Sequence, residues 1–319
     1  MTFFIFNFET QNNLVSSFLS SASLAHNQTI KDDEWFYWKF RDNPFGESIL
    51  ACAMEDNVIV GCVALGMQDF VCQENTIKAA MSFETFVHPN YQGKGIFKKL
   101  IDLAETESRN RGIKFLLNFP NSNSLPGFKK SGWRSIDCSE YWIKGSDFFK
   151  ILFNIRDIRK SFLPNPSNLK SLNKDKLSLL NDFNKDNLSF ESILNEKYIE
   201  WRFFKYPMSE YAIINNDDLF SIARVGYRGG LKESQVLTVK NKSQKNISIS
   251  DLIKEYKKKT NYDIISFPIS KKNKIRKNIA RLLFIKVPSK TNVTYKIINQ
   301  GDQFNFESIE LSAINYHTY

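Results

Sequence analysis

Ala79-Ala80-Met81-Ser82-Phe83-Glu84-Thr85-Phe86-Val87-His88-Pro89-Asn90-Tyr91-Gln92-Gly93-Lys94-Gly95-Ile96-Phe97-Lys98-Lys99 is the stretch from which the rest of the chain is read. Its first part is rich in β-branched and aromatic residues and predicts a strand over Ala80–Val87. His88-Pro89-Asn90 breaks that strand, because proline has no N–H to give a ladder and restricts the residue before it. Ile96, Phe97, Leu100, Ile101, Leu103 and Ala104 then recur at helical spacing and give the following helix one buried face. Gly93 and Gly95 fall at its first turn. Backbone N–H groups there have no intrahelical partner, and without a Cβ in the way an anion approaches them closely, so a pyrophosphate fits.

Working outward, Phe3–Phe8 reads as a first strand and Gln11–Ala25 as a helix with Leu14, Val15, Phe18 and Leu19 on one side. Lys31–Phe40 is a second helical segment that ends before Asn43-Pro44. Ser48–Met54 and Val58–Met67 flank the polar turn Glu55-Asp56-Asn57 and read as a hairpin. On the other side of the opening stretch, Ile113–Phe119 is a short apolar strand, expected to run parallel to Ala79–Val87 because a helix joins them. An Asn/Ser turn and a short helix follow, leading to Lys130-Ser131-Gly132-Trp133, and Trp133–Lys144 is expected to close the first domain.

This combination resembles the GCN5-related N-acetyltransferases (GNAT). The family's acetyl-CoA signature runs Gln or Arg, two residues, Gly, one residue, Gly or Ala; Gln92 and Gly95 match it, and Phe97 stands at the last small position. The run Phe119–Trp133 resembles the second signature of the family, an Asn/Ser turn, a short helix and Lys-x-Gly-aromatic. The resemblance implies an α/β fold with a mixed, mostly antiparallel sheet whose central parallel strands splay apart to admit the pantetheine arm. It implies that acetyl-CoA is held by Gln92, Gly93, Lys94, Gly95, Ile96 and Phe97, with Asn118, Asn121 and Ser124 beside the arm. Backbone N–H groups near Phe86, Val87 and His88 would bind the thioester carbonyl. Acetyl transfer to an amine also needs a base and a proton path to the leaving thiolate. Glu84 is the base candidate, with His88 as its substitute; the usual tyrosine acid aligns with Phe128, which leaves Tyr91, Tyr141 or water. No metal is expected.

A chain of 319 residues, 42% hydrophobic and 14% aromatic, has material for two packed domains. Met1–Phe8 has no basic start and no cleavage site, so it is read as a strand and not as a signal peptide. No stretch reaches membrane-spanning length. Cys52, Cys62, Cys72 and Cys138 suit neither a zinc site nor a disulfide framework, and are read as free thiols of a cytoplasmic protein. Of the net charge of +10, the stretch Asp251–Lys290 carries most, with twelve Lys or Arg against three acids. Lys271–Arg281 reads as a solvated basic face in preference to a membrane-surface helix, and no nucleic-acid motif accompanies it.

After a helix through Arg159 and a linker near Pro164–Asn168, the start of the chain is repeated. Shifted by 163 positions, Ile30, Trp38, Lys39, Phe40 and Pro44 fall on Ile193, Trp201, Arg202, Phe203 and Pro207. Ile264–Pro268 echoes Leu116–Pro120, and Ser250–Lys259 the central helix. Two tandem copies follow from this: a catalytic domain over 1–145, a helix and linker over 146–171, and a degenerate second copy over 172–319. The turn Lys240–Asn246 of that copy has no glycine, so acetyl-CoA is expected in the first copy alone; Gly226, Gly229 and Gly230 read as hairpin punctuation. The resemblance implies transfer of acetyl from acetyl-CoA to a primary amine of a small molecule. A two-copy chain with Trp-Lys-Phe and Asn-Pro before the hairpin resembles transferases found among surface-polysaccharide enzymes, and by fold-level analogy this implies an amino group on a nucleotide-linked sugar as acceptor. An aminoglycoside, a polyamine or a protein amine stays open as acceptor, and so does the oligomeric state. The reading from another class is a tandem aminoacyl or peptide-bridge transferase, or a non-catalytic binding protein; the glycine-rich turn counts against it.

Overall fold

The computed structural model describes residues 1–72, 75–166, 190–206, 209–241, 248–289, 291–299 and 301–316. Two compact units divide the chain: Met1–Asp137 with Thr291–Phe306, and Cys138–Lys290 with Glu307–Tyr319.

In the first unit β1 (Thr2–Ile5), β2 (Ile49–Glu55), β3 (Val58–Cys72), β4 (Asn75–Val87) and β5 (Phe115–Asn118) are neighbours in that order. The strand Val293–Ile297 follows, then β6 (Arg134–Ile136). Asp56 and Asn57, at φ of 50° and 61°, make the tight turn between β2 and β3, a left-handed conformation that these two side chains tolerate. Among the described strands of this unit only β4 and β5 run parallel, from Ala79↔Phe115 to Ser82↔Asn118, and α3 (Ile96–Asn110) is their crossover. Its face of Ile96, Leu100, Ile101 and Ala104 is buried against Ile49, Ala51, Val63 and Leu65 of the sheet. At about 1.5–3 kcal/mol for each large aliphatic side chain, this burial holds the helix, and so the turn before it, in place. α1 (Val15–His26) and α2 (Asp33–Phe40) frame an aromatic cluster of Phe6, Phe18, Phe36 and Phe40, and α2 starts where Asp32 accepts a hydrogen bond from Trp35 N at 2.7 Å. The last helix of this unit, α4 (Leu125–Lys130), seats Phe128 between Phe97 and Trp133.

The second unit repeats the plan. Tyr211–Asn215, Leu219–Arg228, Leu231–Asn241 and Ile264–Ser270 are successive neighbours, followed by Ser139–Gly145 and Ile285–Val287. Its central parallel ladder runs from Glu233↔Ile264 to Gln235↔Ser266, with the helix Ile249–Thr260 as crossover, and a short parallel pair joins Ile309–Glu310 to Phe190–Glu191. Asn118 and Ser266, aligned by the sequence echo, thus both end a parallel ladder. Trp38, Phe40, Trp201 and Phe203 are all buried.

Several sequence expectations change. Trp133–Lys144 is not one closing strand: Arg134–Ile136 stays in the first sheet, while Ser139–Gly145 lies in the second, antiparallel to Ile264–Ser270. In exchange Val293–Ile297 pairs with both β5 and β6, so the units are not contiguous halves divided at residue 145. The reason is pairing: Tyr141 and Trp142 find partners in Glu233 and Glu140, within the second unit. Phe162–Pro164, expected at the start of a linker, is a strand beside Leu219–Arg228, and its close approach leaves no room for a Cβ at Gly226, which is therefore not a hairpin glycine. Ile275 and Ile279 belong to the second unit's core, so the apolar face of the basic helix Arg276–Arg281 is already covered. None of the four cysteines is in a disulfide. The start of the second copy near Leu172, the linker residues beyond Pro166, Pro207 and the turn 242–246 lie outside the described residues.

Candidate active site

β4 and β5 separate where the sequence places the chemistry. Their ladder ends at Ser82↔Asn118, while β4 runs on to Val87 along β3. Within that extension the register slips: Phe86 pairs with Cys62 but Phe83 with Ala64, so Glu84 and Thr85 together oppose Val63. This is a β-bulge, and Glu84 takes φ of 42° in it. A non-glycine residue in the left-handed region inside a strand is backbone strain, and such strain concentrates at functional sites.

The bulge sets the Glu84 carboxylate against a lysine and a histidine. Lys39, on α2 and fully buried, donates to Oε1 at 2.6 Å, and His26, the last residue of α1, places Nε2 3.6 Å from Oε2. The Lys39 ammonium also lies 4.6 Å from the centre of the Trp35 ring and 5.2 Å from that of Phe83. Burial alone would raise the Glu84 carboxyl, but Lys39 overrides it, with His26 and Lys31 adding, and holds the group below the usual carboxylate range. Glu84 is a pinned anion.

The turn after β4 has the geometry of a cradle. Gly93 and Gly95 take φ of 76° and 74°, and a Cβ built on either would meet nothing within 4 Å. Gly95 is the N-cap of α3, so the first N–H groups of a 15-residue helix open onto this space. Gln92 braces the turn, donating from Nε2 to Val87 O at 3.2 Å, and Lys94 is exposed with Nζ over the Tyr91 ring. Phe97, half-buried at the position expected to be small, is accommodated because residue 127 is glycine; a Cβ there would stand 2.5 Å from the Phe97 ring.

Of the three backbone amides expected near the thioester carbonyl, His88 N is taken by Val60 O at 2.8 Å. N–H groups alternate edges along a strand, which turns Val87 N–H toward the edge that β5 has left and Phe86 N–H toward β3. The Phe86 ring itself is buried on Phe18 and His26. His88 accepts from Asn90 N at Nδ1 and packs its ring on Tyr91, which is turn chemistry. Tyr91 faces Glu55, and partial burial with that carboxylate raises its phenol. Tyr141 is enclosed by Glu233, Ser266 and Arg228 within the second unit. Asn121 accepts from Ser124 N and Ser124 Oγ and so shapes the start of α4. Asn118 differs: its buried Nδ2 has no hydrogen-bond partner among the described residues. Sequence reasoning missed Lys39 and His26. A signal existed for Lys39, a lone charge among aromatics in both copies; none did for His26.

At the equivalent place in the second unit the chemistry is missing. There the bulge falls at Leu237, two residues past the end of the parallel ladder as Glu84 is in the first unit. Arg202, the counterpart of Lys39, donates to Tyr198 OH and to Ile314 O. The C-terminal segment also bridges Ser312 to Ile269 and exchanges hydrogen bonds with Ser270, beside the edge where the two parallel strands part. A cavity of about 110 Å³ remains there, lined by Glu191, Lys240, Lys274 and Glu310 among others.

The acetyltransferase (GNAT) domain family matches residues 9–136. Among solved structures, a GCN5-related N-acetyltransferase from Anabaena variabilis ATCC 29413 superposes with a TM-score of 0.62 at 12% identity, over 93% of this chain and 73% of that one. Eis1 from Mycobacterium abscessus gives 0.61 at 10%, over 93% and 74%, and a probable N-acyltransferase from Enterococcus faecalis V583 gives 0.57 at 9%, over 93% and 73%. At these identities the likeness is one of fold. No curated protein matches the chain by sequence.

Proposed function

We propose that this chain, whose first unit carries a GNAT acetyltransferase domain, transfers acetyl from acetyl-CoA to the primary amine of a small molecule. The observation that carries the reading is the pair of left-handed glycines, Gly93 and Gly95, with open space where side chains would be, at the N-terminus of a 15-residue helix beside a bulged strand end. Gln92, Gly93, Lys94, Gly95 and Ile96 would hold the pyrophosphate, with Lys94 as an exposed point charge. Asn118, with a buried and unpartnered Nδ2, would face the pantetheine arm. Bound acetyl-CoA supplies a thioester, an acyl group with a good leaving group. Val87 N–H supports polarisation of its carbonyl, and the Glu84 carboxylate attracts the cationic amine to the same strand end. An amino sugar, free or nucleotide-linked, is the acceptor class we favour, and the second unit would serve as structure. Thiol release from acetyl-CoA against a panel of amino sugars, polyamines and aminoglycosides tests this. Binding of acetyl-CoA with no amine-dependent release would turn the reading toward a binding protein.

A further inference from the structure

The group that takes the proton from the acceptor amine follows from how Glu84 is held. Glu84 is a poor candidate itself. Its Oε1 is fixed by a fully buried Lys39 at 2.6 Å, and freeing that oxygen would leave a buried ammonium without its carboxylate. Its low proton affinity also gives little driving force for removing a proton near neutral pH. His88 and Tyr91 are committed to the turn and to Glu55.

Beside Lys39, the titratable side chain that lies against the Glu84 carboxylate is His26. It ends α1, where the helix dipole favours a positive charge, and its ring stands edge-on to Phe86, on the part of β4 that extends beyond β5. Nε2 is buried, 3.6 Å from Glu84 Oε2 and without a hydrogen-bond partner among the described residues, while 30% of the side chain is exposed, so the accessible surface lies on atoms other than Nε2. A carboxylate on the Nε2 side favours the tautomer with the proton there. With the proton on Nε2, directed at the carboxylate, Nδ1 keeps its lone pair. At 3.6 Å the contact is electrostatic and not a hydrogen bond in the free protein; catalytic contacts of this kind often tighten into hydrogen bonds only in the substrate complex. The other charged or titratable groups facing this cluster are Lys39 from α2, Lys31 before it, and Cys62 of β3, whose thiol burial raises.

We infer that His26 is the general base of the acyl transfer and that Lys39 and Glu84 position and charge-balance it. This rests on the acetyltransferase reading above. In the step itself the amine, neutral after its ammonium proton is lost to solvent, forms a bond from nitrogen to the carbonyl carbon, the C–S bond breaks with its electron pair leaving on the thiolate, and the N–H proton released as the amide forms passes to His26 Nδ1. The imidazolium so formed is stabilised by the Glu84 carboxylate, whose own charge Lys39 fixes.

The test uses the full chain with glucosamine, spermidine and tyramine as acceptors. His26→Gln should lower kcat/KM by about a hundredfold, the scale of a lost general base. It should flatten the acid limb of the pH–rate profile between pH 5 and 8, where a histidine ordinarily changes charge. Acetyl-CoA affinity by calorimetry and Tm should stay near those of the wild type. His26→Ala should regain part of its rate with added imidazole, which no packing role explains. A His26→Gln enzyme with the wild-type pH profile overturns the assignment. A wild type that transfers to none of the three amines counts instead against the acetyltransferase reading. The assignment is then judged by NMR of the full chain: ring signals of His26 whose pH titration ignores Glu84→Gln would refute it.

Discussion

Lys39 and Glu84 tie function to stability at single residues. Because Lys39 has no exposed side-chain surface, Glu84→Gln should cost about 3 kcal/mol, the scale of breaking a buried ion pair, well beyond a surface pair's value. The sign of its pH dependence follows from the direction of the shift. A carboxyl held below its usual 4.5 adds stability that is present above about pH 4.5 and is lost as pH falls through the native value. Denaturant unfolding should therefore show a wide gap between wild type and Glu84→Gln at pH 7 that narrows below pH 4. Turnover on amines should fall by about a hundredfold, with little change in acetyl-CoA affinity. A variant as active and as stable as wild type at pH 7 would remove Glu84 from both roles.

The decisive element is the turn entering α3. Gly95→Glu should abolish acetyl-CoA binding in calorimetry, since it adds a side chain at φ of 74° and a negative charge to an anion cradle; Lys94→Ala should cost less than tenfold. Between α3 and α4 the contact is steric. Gly127→Ala should destabilise by about 1–3 kcal/mol because its Cβ would stand 2.5 Å from the Phe97 ring, and Phe97→Ala in the same chain should recover part of that loss. Additive losses in thermal unfolding would show that the two positions are not coupled.

Across the whole molecule, each chain should bind one acetyl-CoA. The second unit has Leu237 where the first has Glu84, and its own C-terminal segment lies along the edge where its parallel strands part. Calorimetry giving two sites per chain, or one that survives Gly95→Glu, would contradict this. The same segment carries a pH signature. Burial, and then Glu191 beside it, push the Glu310 carboxyl up from 4.5 to about 7, so the native state retains a proton that the unfolded state has lost. Its contribution therefore weakens as pH rises from about 4.5 to 7 and stays low above that. Glu310→Gln should raise stability at pH 8 by about 1–3 kcal/mol and leave it unchanged at pH 4, read from Tm at both. Equal gains at both pH values would show that titration of Glu310 is not the cause.

The strand, the broken turn and the helix were legible over Ala80–Ala104, inside the Asn75–Asn110 that they span, because alternation, a proline and glycines without Cβ atoms act over a few positions. So was the repeat, since Trp38, Phe40, Trp201 and Phe203 must all be buried to fill equivalent cores. Non-local pairing decided the rest. Nothing near residue 140 states that Ser139–Gly145 will pair with Ile264–Ser270 while Val293–Ile297 takes a place beside β5, because a strand's partner is chosen by edges far away in the chain. His26, Lys39 and Glu84 likewise lie on three separate elements. The sequence determined which residue types stand at the end of β4; only the folding of α1 and α2 against the bulge turned a strand carboxylate into a half-buried anion paired with a buried lysine and set beside a histidine, since burial and proximity are properties of the packed chain.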